Sequence, residues 1–143
     1  MTQATYLEDL HVGESHTRDF HIDVETIEAF AKVSGDYNPI HMDEAFAQTT
    51  PFKGRIAHGM LLAGYISASL SSYLPGVGAI YVSQTLKFKR AIRPGDDITV
   101  HLDILDINPK TAHVTLTTNV KCRNKVMVEG TAVILAPKRP VTA

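Results

Sequence analysis

The spacing of apolar residues changes character once along this chain, near Pro75. Before that point the period is helical. Val24, Ile27, Phe30, Ala31 and Ser34 share one helical face, with Asp23 placed as an N-cap and Gly35 as a stop. Ile22 and Ile27 stand where a hydrophobic staple would put them, so a helix is predicted over residues 23–34. A shorter helix is expected from Asp43 through Phe46, then a loop, TTPFKGRIAHG, broken by Pro51 and Gly54. A long helix is predicted next, from about Ala57 to Leu74. It is almost uncharged: no Lys, Arg, Asp or Glu occurs between Ile56 and Leu86.

Beyond Pro75 the period is two. Ile80, Val82, Leu86 and Phe88 alternate with Tyr81, Ser83, Lys87 and Lys89. Ile98, Val100, Leu102 and Ile104 form a second alternating run, and Val114, Leu116, Thr118 and Val120 a third. The last run, Val126 to Leu135, is more apolar than the others, as expected for a strand covered on both faces. Turn signals separate these runs at Arg93-Pro94-Gly95-Asp96, Asn108-Pro109-Lys110 and Arg123-Asn124. Four strands in series predict an antiparallel meander. A helix that is apolar all round must be enclosed, and a sheet encloses a helix only by wrapping around it. The expected class is α+β: a long central helix wrapped by a curved antiparallel β-sheet, in one domain spanning residues 1–143.

Composition narrows the function. With 44% apolar and 20% charged residues the chain is an ordinary globular one. A net charge of −1 gives no pull toward nucleic acid or an anionic membrane. The charge-poor stretch HGMLLAGYISASLSSYLPG carries four serines and a histidine, which favours a buried helix over a membrane span. The single cysteine, Cys122, suits a reducing compartment, and MTQATYLEDL has neither the basic start nor the apolar run of a signal peptide. A cytoplasmic protein is expected. The seven histidines show no metal-site spacing, and no metal or other cofactor is expected.

The candidate chemistry lies in SGDYNPIH, residues 34–41. Gly, Asp, Asn and Pro are turn formers, and Asp36 could serve only an Asx-turn. Alternatively, the turn aims Asp36 and His41 as an acid/base pair. SGDYNPIHMDEAF followed by AHGMLLAGYIS resembles the MaoC-like hydratase family, specifically its short (R)-specific enoyl-CoA hydratases. The G-D-x-N-P-x-H motif matches at residues 35–41 and H-G-M at 58–60, and LKFKRAIRPGD (86–96) resembles a later family segment. The resemblance covers nearly the whole chain. It implies a hotdog fold, a homodimer, and reversible syn addition of water to a trans-2-enoyl thioester. It also implies that Asp36 and His41 are catalytic and that the amide of Gly59 binds the thioester oxygen. Asn38, His58 and Ser67 are supporting candidates, Ser67 because the family has a serine near its site.

Those residue types suit that reaction. Water attacking C3 must lose a proton while C2 gains one, and a carboxylate with an imidazole can do both. Asp36 is assigned as the main base and His41 as its partner. Charge building on the thioester oxygen suits an N–H at a helix N-terminus, where Gly59 lies and its missing side chain would let the thioester approach. Pro39 would keep Asn38 out of helical conformation. The expected partner is coenzyme A or an acyl carrier, with Lys53, Arg55, Lys87, Lys89 and Arg90 as candidates for its phosphates. A dehydratase of carrier-bound 3-hydroxyacyl chains would use the same residues. A thioesterase or a non-catalytic acyl-thioester binding module remains open on this reading, though neither explains both Asp36 and His41.

Overall fold

The computed structural model describes residues 5–141. In chain order its elements are β1 (Ser15–Ile22), α1 (Val24–Ser34), α2 (Pro39–Met42), α3 (Glu44–Gln48), α4 (Gly59–Ser72), β2 (Ile80–Phe88), β3 (Asp96–Ile107), β4 (His113–Cys122) and β5 (Lys125–Leu135), preceded by a 3-10 turn at Leu7–Asp9. α1 begins and ends on its sequence signals. The Asp23 side chain accepts from Thr26 N–H at 2.7 Å, and Gly35 closes the helix with φ 80°. Ile22 and Ile27 are both fully buried.

The five strands form one antiparallel sheet in the order β1-β3-β4-β5-β2. This corrects the simple meander. β3, β4 and β5 do follow one another through tight turns, but β2 pairs with β5 and not with its neighbour in sequence. The connection 89–95 is too long for a tight hairpin. Lys89 and Arg90 N–H donate to Met127 O of β5 (2.8 and 3.2 Å), and Gly95 N–H donates to Ile22 O at the end of β1 (2.6 Å), so the segment crosses from one side of the sheet to the other. β1 is an additional strand at the opposite edge, paired with β3 from Ser15 opposite Asp103 to Ile22 opposite Asp96.

α4 lies against the concave face. Leu61, Leu62, Ile66 and Leu70 pack into one core with Ile98–Ile104 of β3, Val114–Val120 of β4 and Val128–Ile134 of β5. Each fully buried Leu or Ile contributes about 1.5–3 kcal/mol. The helix is shorter than its apolar run: His58 is extended (φ −61°, ψ 133°), and Ala57 N–H bonds Ile92 O at 2.7 Å instead of continuing the helix. The chain by itself does not enclose α4. Met60 is 58% exposed, and Gly64 and Ser71 on the same side are exposed too, so one face stays open between α4 and the edge strand β2.

Candidate active site

The turn after α1 is built from nested local bonds. Ser34 Oγ accepts from Asp36 N–H (3.2 Å), Asp36 Oδ1 from Asn38 N–H (3.2 Å), and Asn38 Oδ1 from Ile40 N–H (3.3 Å). Asn38 is held at φ −50°, ψ 126° before Pro39, which opens the single helical turn α2 carrying His41. Asp36 therefore does form an Asx-turn, using Oδ1. That role does not compete with chemistry: Asp36 lines the same cavity as His41.

What aims the pair is the segment just before α4. His41 Nδ1–H donates to Ile56 O (2.8 Å), Ile56 N–H to Ile40 O (3.3 Å), Arg55 Nε–H to His41 O (2.6 Å), and His58 Nε2–H to Asp36 O (2.9 Å). The acceptors are carbonyls, so the bonded ring nitrogens carry the hydrogens. His41 Nε2 keeps a lone pair. His58 is buried, and its ring stacks on His41 with centroids 3.9 Å apart and planes 30° apart. Burial holds the His41 imidazole below its ordinary value of 6.5, with His58 acting in the same sense and Ile56 O and Asp36 opposing. His41 is thus neutral, a proton acceptor, near pH 7.

Asp36, His41, His58, Gly59, Met60 and Phe88 line a cavity of about 350 Å³, with Lys89 and Arg90 of the crossover also on its wall. Gly59 is the first residue of α4, where an N–H has no intrahelical acceptor and the helix dipole is positive. The structure adds a second reason for glycine to the one expected from the sequence. A Cβ at Gly59 would stand 2.6 Å from Phe88 Cε1 and 2.8 Å from Cδ1, so the Phe88 ring packs against the bare backbone and would have to shift for any side chain.

The remaining candidates separate. Asn38 and His58 brace the turn as described, whereas Ser67 lies two turns along α4 and lines the open groove. Arg55, a phosphate candidate, is mostly buried: its side chain is 13% exposed, braces His41 O and reaches Glu28 at 3.9 Å. Its bracing role, the Ile56 carbonyl and the Phe88 ring escaped the sequence reading. Phe88 had a signal, as an aromatic on the strand's inner row, while a backbone carbonyl leaves none.

A carboxylate oxygen of Asp36 and a ring nitrogen from each of His41 and His58 lie within 4.8 Å of one another, donor types that zinc also takes. Imidazole lone pairs lie in the ring plane, and two rings stacked 3.9 Å apart with planes only 30° apart are poorly placed to share an ion. The arrangement suits proton transfer.

A family model for the MaoC like domain matches residues 11–126. The chain belongs to the MaoC-like family. It is 46% identical to an (R)-specific enoyl-CoA hydratase of Rhodospirillum rubrum over 94% of this chain and 93% of that one. The corresponding figures for the (R)-specific enoyl-CoA hydratase of Aeromonas caviae are 37%, 91% and 98%. Among solved structures, the unliganded R-hydratase PhaJ1 of Pseudomonas aeruginosa superposes with a TM-score of 0.90 at 39% identity, covering 98% of this chain and 97% of that one. The fold is the hotdog fold: α+β, with the sheet curved around α4.

Proposed function

We propose that this MaoC-like protein is an (R)-specific enoyl-CoA hydratase, a hydro-lyase that reversibly adds water syn to trans-2-enoyl-CoA to give (R)-3-hydroxyacyl-CoA. The observation that carries the reading is His41, tied through Nδ1 to Ile56 O, held beside Asp36 in a cavity that also contains the N-terminus of α4. One water hydrogen-bonds to the Asp36 carboxylate and to the His41 Nε2 lone pair. As the water oxygen bonds to C3, Asp36 takes its proton, His41 holds the other hydrogen, and the C2=C3 electrons move toward the thioester. The resulting enolate oxygen accepts from Gly59 N–H, which acts where the charge develops. The proton then passes to C2 from the same face, and both side chains return to their starting states. Asn38 and His58 act as positioning residues; no cofactor takes part.

Residues 1–143 work as one MaoC-like domain, in a cytoplasmic homodimer. Support for the dimer comes from the uncovered face of α4 and from exposed Ile80, Val82 and Phe88 on the edge strand β2. The cysteine that suggested a reducing compartment is buried and unpaired. The substrate places the enzyme in fatty-acid metabolism. The test is crotonyl-CoA hydration, followed by loss of enoyl absorbance with the product's configuration determined. (R)-3-hydroxybutyryl-CoA is expected. Thiol release, an (S) product, or binding without turnover would overturn the reading, and a strong preference for carrier-bound substrate would move it to the related dehydratase.

A further inference from the structure

The inner rows of β4, β5 and β2 are apolar except in one place. In β4 the row runs Val114, Leu116, Thr118, Val120, Cys122, and in β5 Val128, Gly130, Ala132, Ile134. In β2 a bulge between Tyr81 and Ser83 puts Tyr81, Gln84, Leu86 and Phe88 on that side. The exceptions meet. Gln84 Nε2 donates to Thr118 Oγ1 and to Thr85 O, each at 2.8 Å, and the Tyr81 hydroxyl donates to Gln84 Oε1. Gly130 leaves the room: a Cβ there would lie 2.5 Å from Thr85 O, 2.7 Å from Gln84 Nε2 and 2.8 Å from Thr118 Oγ1. Glycine weakens a strand interior, and the fully buried Thr118 hydroxyl needs a partner. Three strands thus forgo apolar packing at one point to seat one amide.

That amide faces the open groove between α4 and β2, which Met60 joins to the catalytic cavity by lining both. Near the cavity the groove is apolar, with Met60, Ala63 and Leu86; farther along it becomes polar, with Gln84, Tyr81 and Ser67. Two rulers give the same length for the apolar part. From Gly59 to Ser67 α4 rises about 12 Å, and from Phe88 to Gln84 β2 rises about 13 Å. An extended chain advances roughly 1.2 Å per bond, so the apolar part matches an acyl tail of about eleven or twelve carbons.

We propose that Gln84, seated by Thr118 and Gly130, is the polar stop of the acyl groove and sets the upper chain length this enzyme accepts. The amide is bonded at Nε2 and Oε1 and so is held against swinging aside for a longer tail. The Tyr81 hydroxyl oxygen, pressed by methylenes, would leave water with no hydrogen bond in return. Burial pushes the Tyr81 phenol up to about 12, so it stays protonated at working pH. The proposal rests on the hydratase reading for the presence of an acyl thioester at Gly59.

The test measures kcat/KM on four-, eight-, twelve- and sixteen-carbon trans-2-enoyl-CoAs. Wild type should fall off beyond about twelve carbons, a result that needs no variant. In Gln84→Leu, and in Gln84→Leu/Thr118→Val, which leaves no buried hydroxyl unpaired, the sixteen- to four-carbon ratio should rise by about tenfold or more. Calorimetric binding of saturated hexadecanoyl-CoA against butyryl-CoA reads the same ratio without turnover. If wild type binds these thioesters but hydrates none, the hydratase reading falls and the binding ratio still decides the stop. A wild type that handles sixteen carbons as well as four overturns the proposal. So does a folded variant with unchanged ratios, or one whose only change is its oligomeric state.

Discussion

The turn carrying Asp36 and His41 and the seat carrying Gln84 are both polar islands beside an apolar wall, but they are held differently. The turn is on the surface, and segment 55–58 grips it largely through its main chain, at Asp36 O, Ile40 O and His41 O. The Gln84 seat lies on the inner row of the sheet facing the groove and is held mostly by side chains, with one carbonyl contributing. The turn offers carbonyls that any residue would supply, so it depends on its donors Arg55 and His58 and not on its own side chains at those points, whereas every member of the Gln84 seat except Thr85 O is a side chain. The reaction geometry and the proposed substrate limit can therefore change independently.

The largest expected effect tests the first half of that contrast. Asp36→Asn keeps an Oδ1 acceptor for Asn38 N–H, so the turn and the thermal melt should be preserved. Activity on crotonyl-CoA should nevertheless fall by about 10²-fold or more, because the amide takes no proton from water. His41→Gln should behave similarly, and the double variant should be little worse than the poorer single, since the two act on one water. A folded Asp36→Asn retaining more than about a tenth of wild-type activity would break the assignment.

Gly59 gives the next effect, and the structure supplies its control. Gly59→Pro removes the N–H but suits the first position of a helix, and His58 already has the extended conformation that a following proline requires. Gly59→Ala brings the same Cβ against Phe88 and keeps the donor. The proline variant should lose at least about 10²-fold in kcat, well beyond the alanine variant. Equal losses would mean that the Phe88 contact, not the N–H, is what matters.

The smallest effect concerns pH. Protonating His41 turns Nε2 from acceptor to donor, so kcat/KM should fall as pH drops through the His41 value. Because burial lowers that value, the acid limb should lie below the ordinary imidazole position of 6.5, and His41→Gln should abolish it. A wild-type limb at or above that position would contradict burial as the cause that keeps His41 neutral.

α1, α4 and four of the strands were legible because their periods are set by burial alone. β1 was hidden by its inner row, where His16 and Arg18 replace apolar residues. His16 stacks on Tyr73 at 4.6 Å, and Arg18 lies over the rings of Phe20 (4.6 Å) and Tyr73 (4.9 Å), so aromatic faces cover what a methyl row would otherwise fill. The pairing of β2 with β5 was out of reach because alternation tells which face a residue takes but not which strand lies beside it. At the site, motif spacing reached Asp36, His41 and Gly59. It could not reach the brace at Ile56, which uses a carbonyl that any residue would supply.

The bulge in β2 has a further consequence for growth of the sheet. β2 is an edge strand, and an extra residue interrupts the regular ladder that a second strand would have to follow. Only Ser83–Phe88 offers an unbroken free edge, a length of about 20 Å at 3.3–3.4 Å per residue. A finite copy of the same strand can be accommodated there, while open-ended stacking along the whole edge meets a built-in terminator. The irregularity that turns Tyr81 inward thus also protects the chain against aggregation.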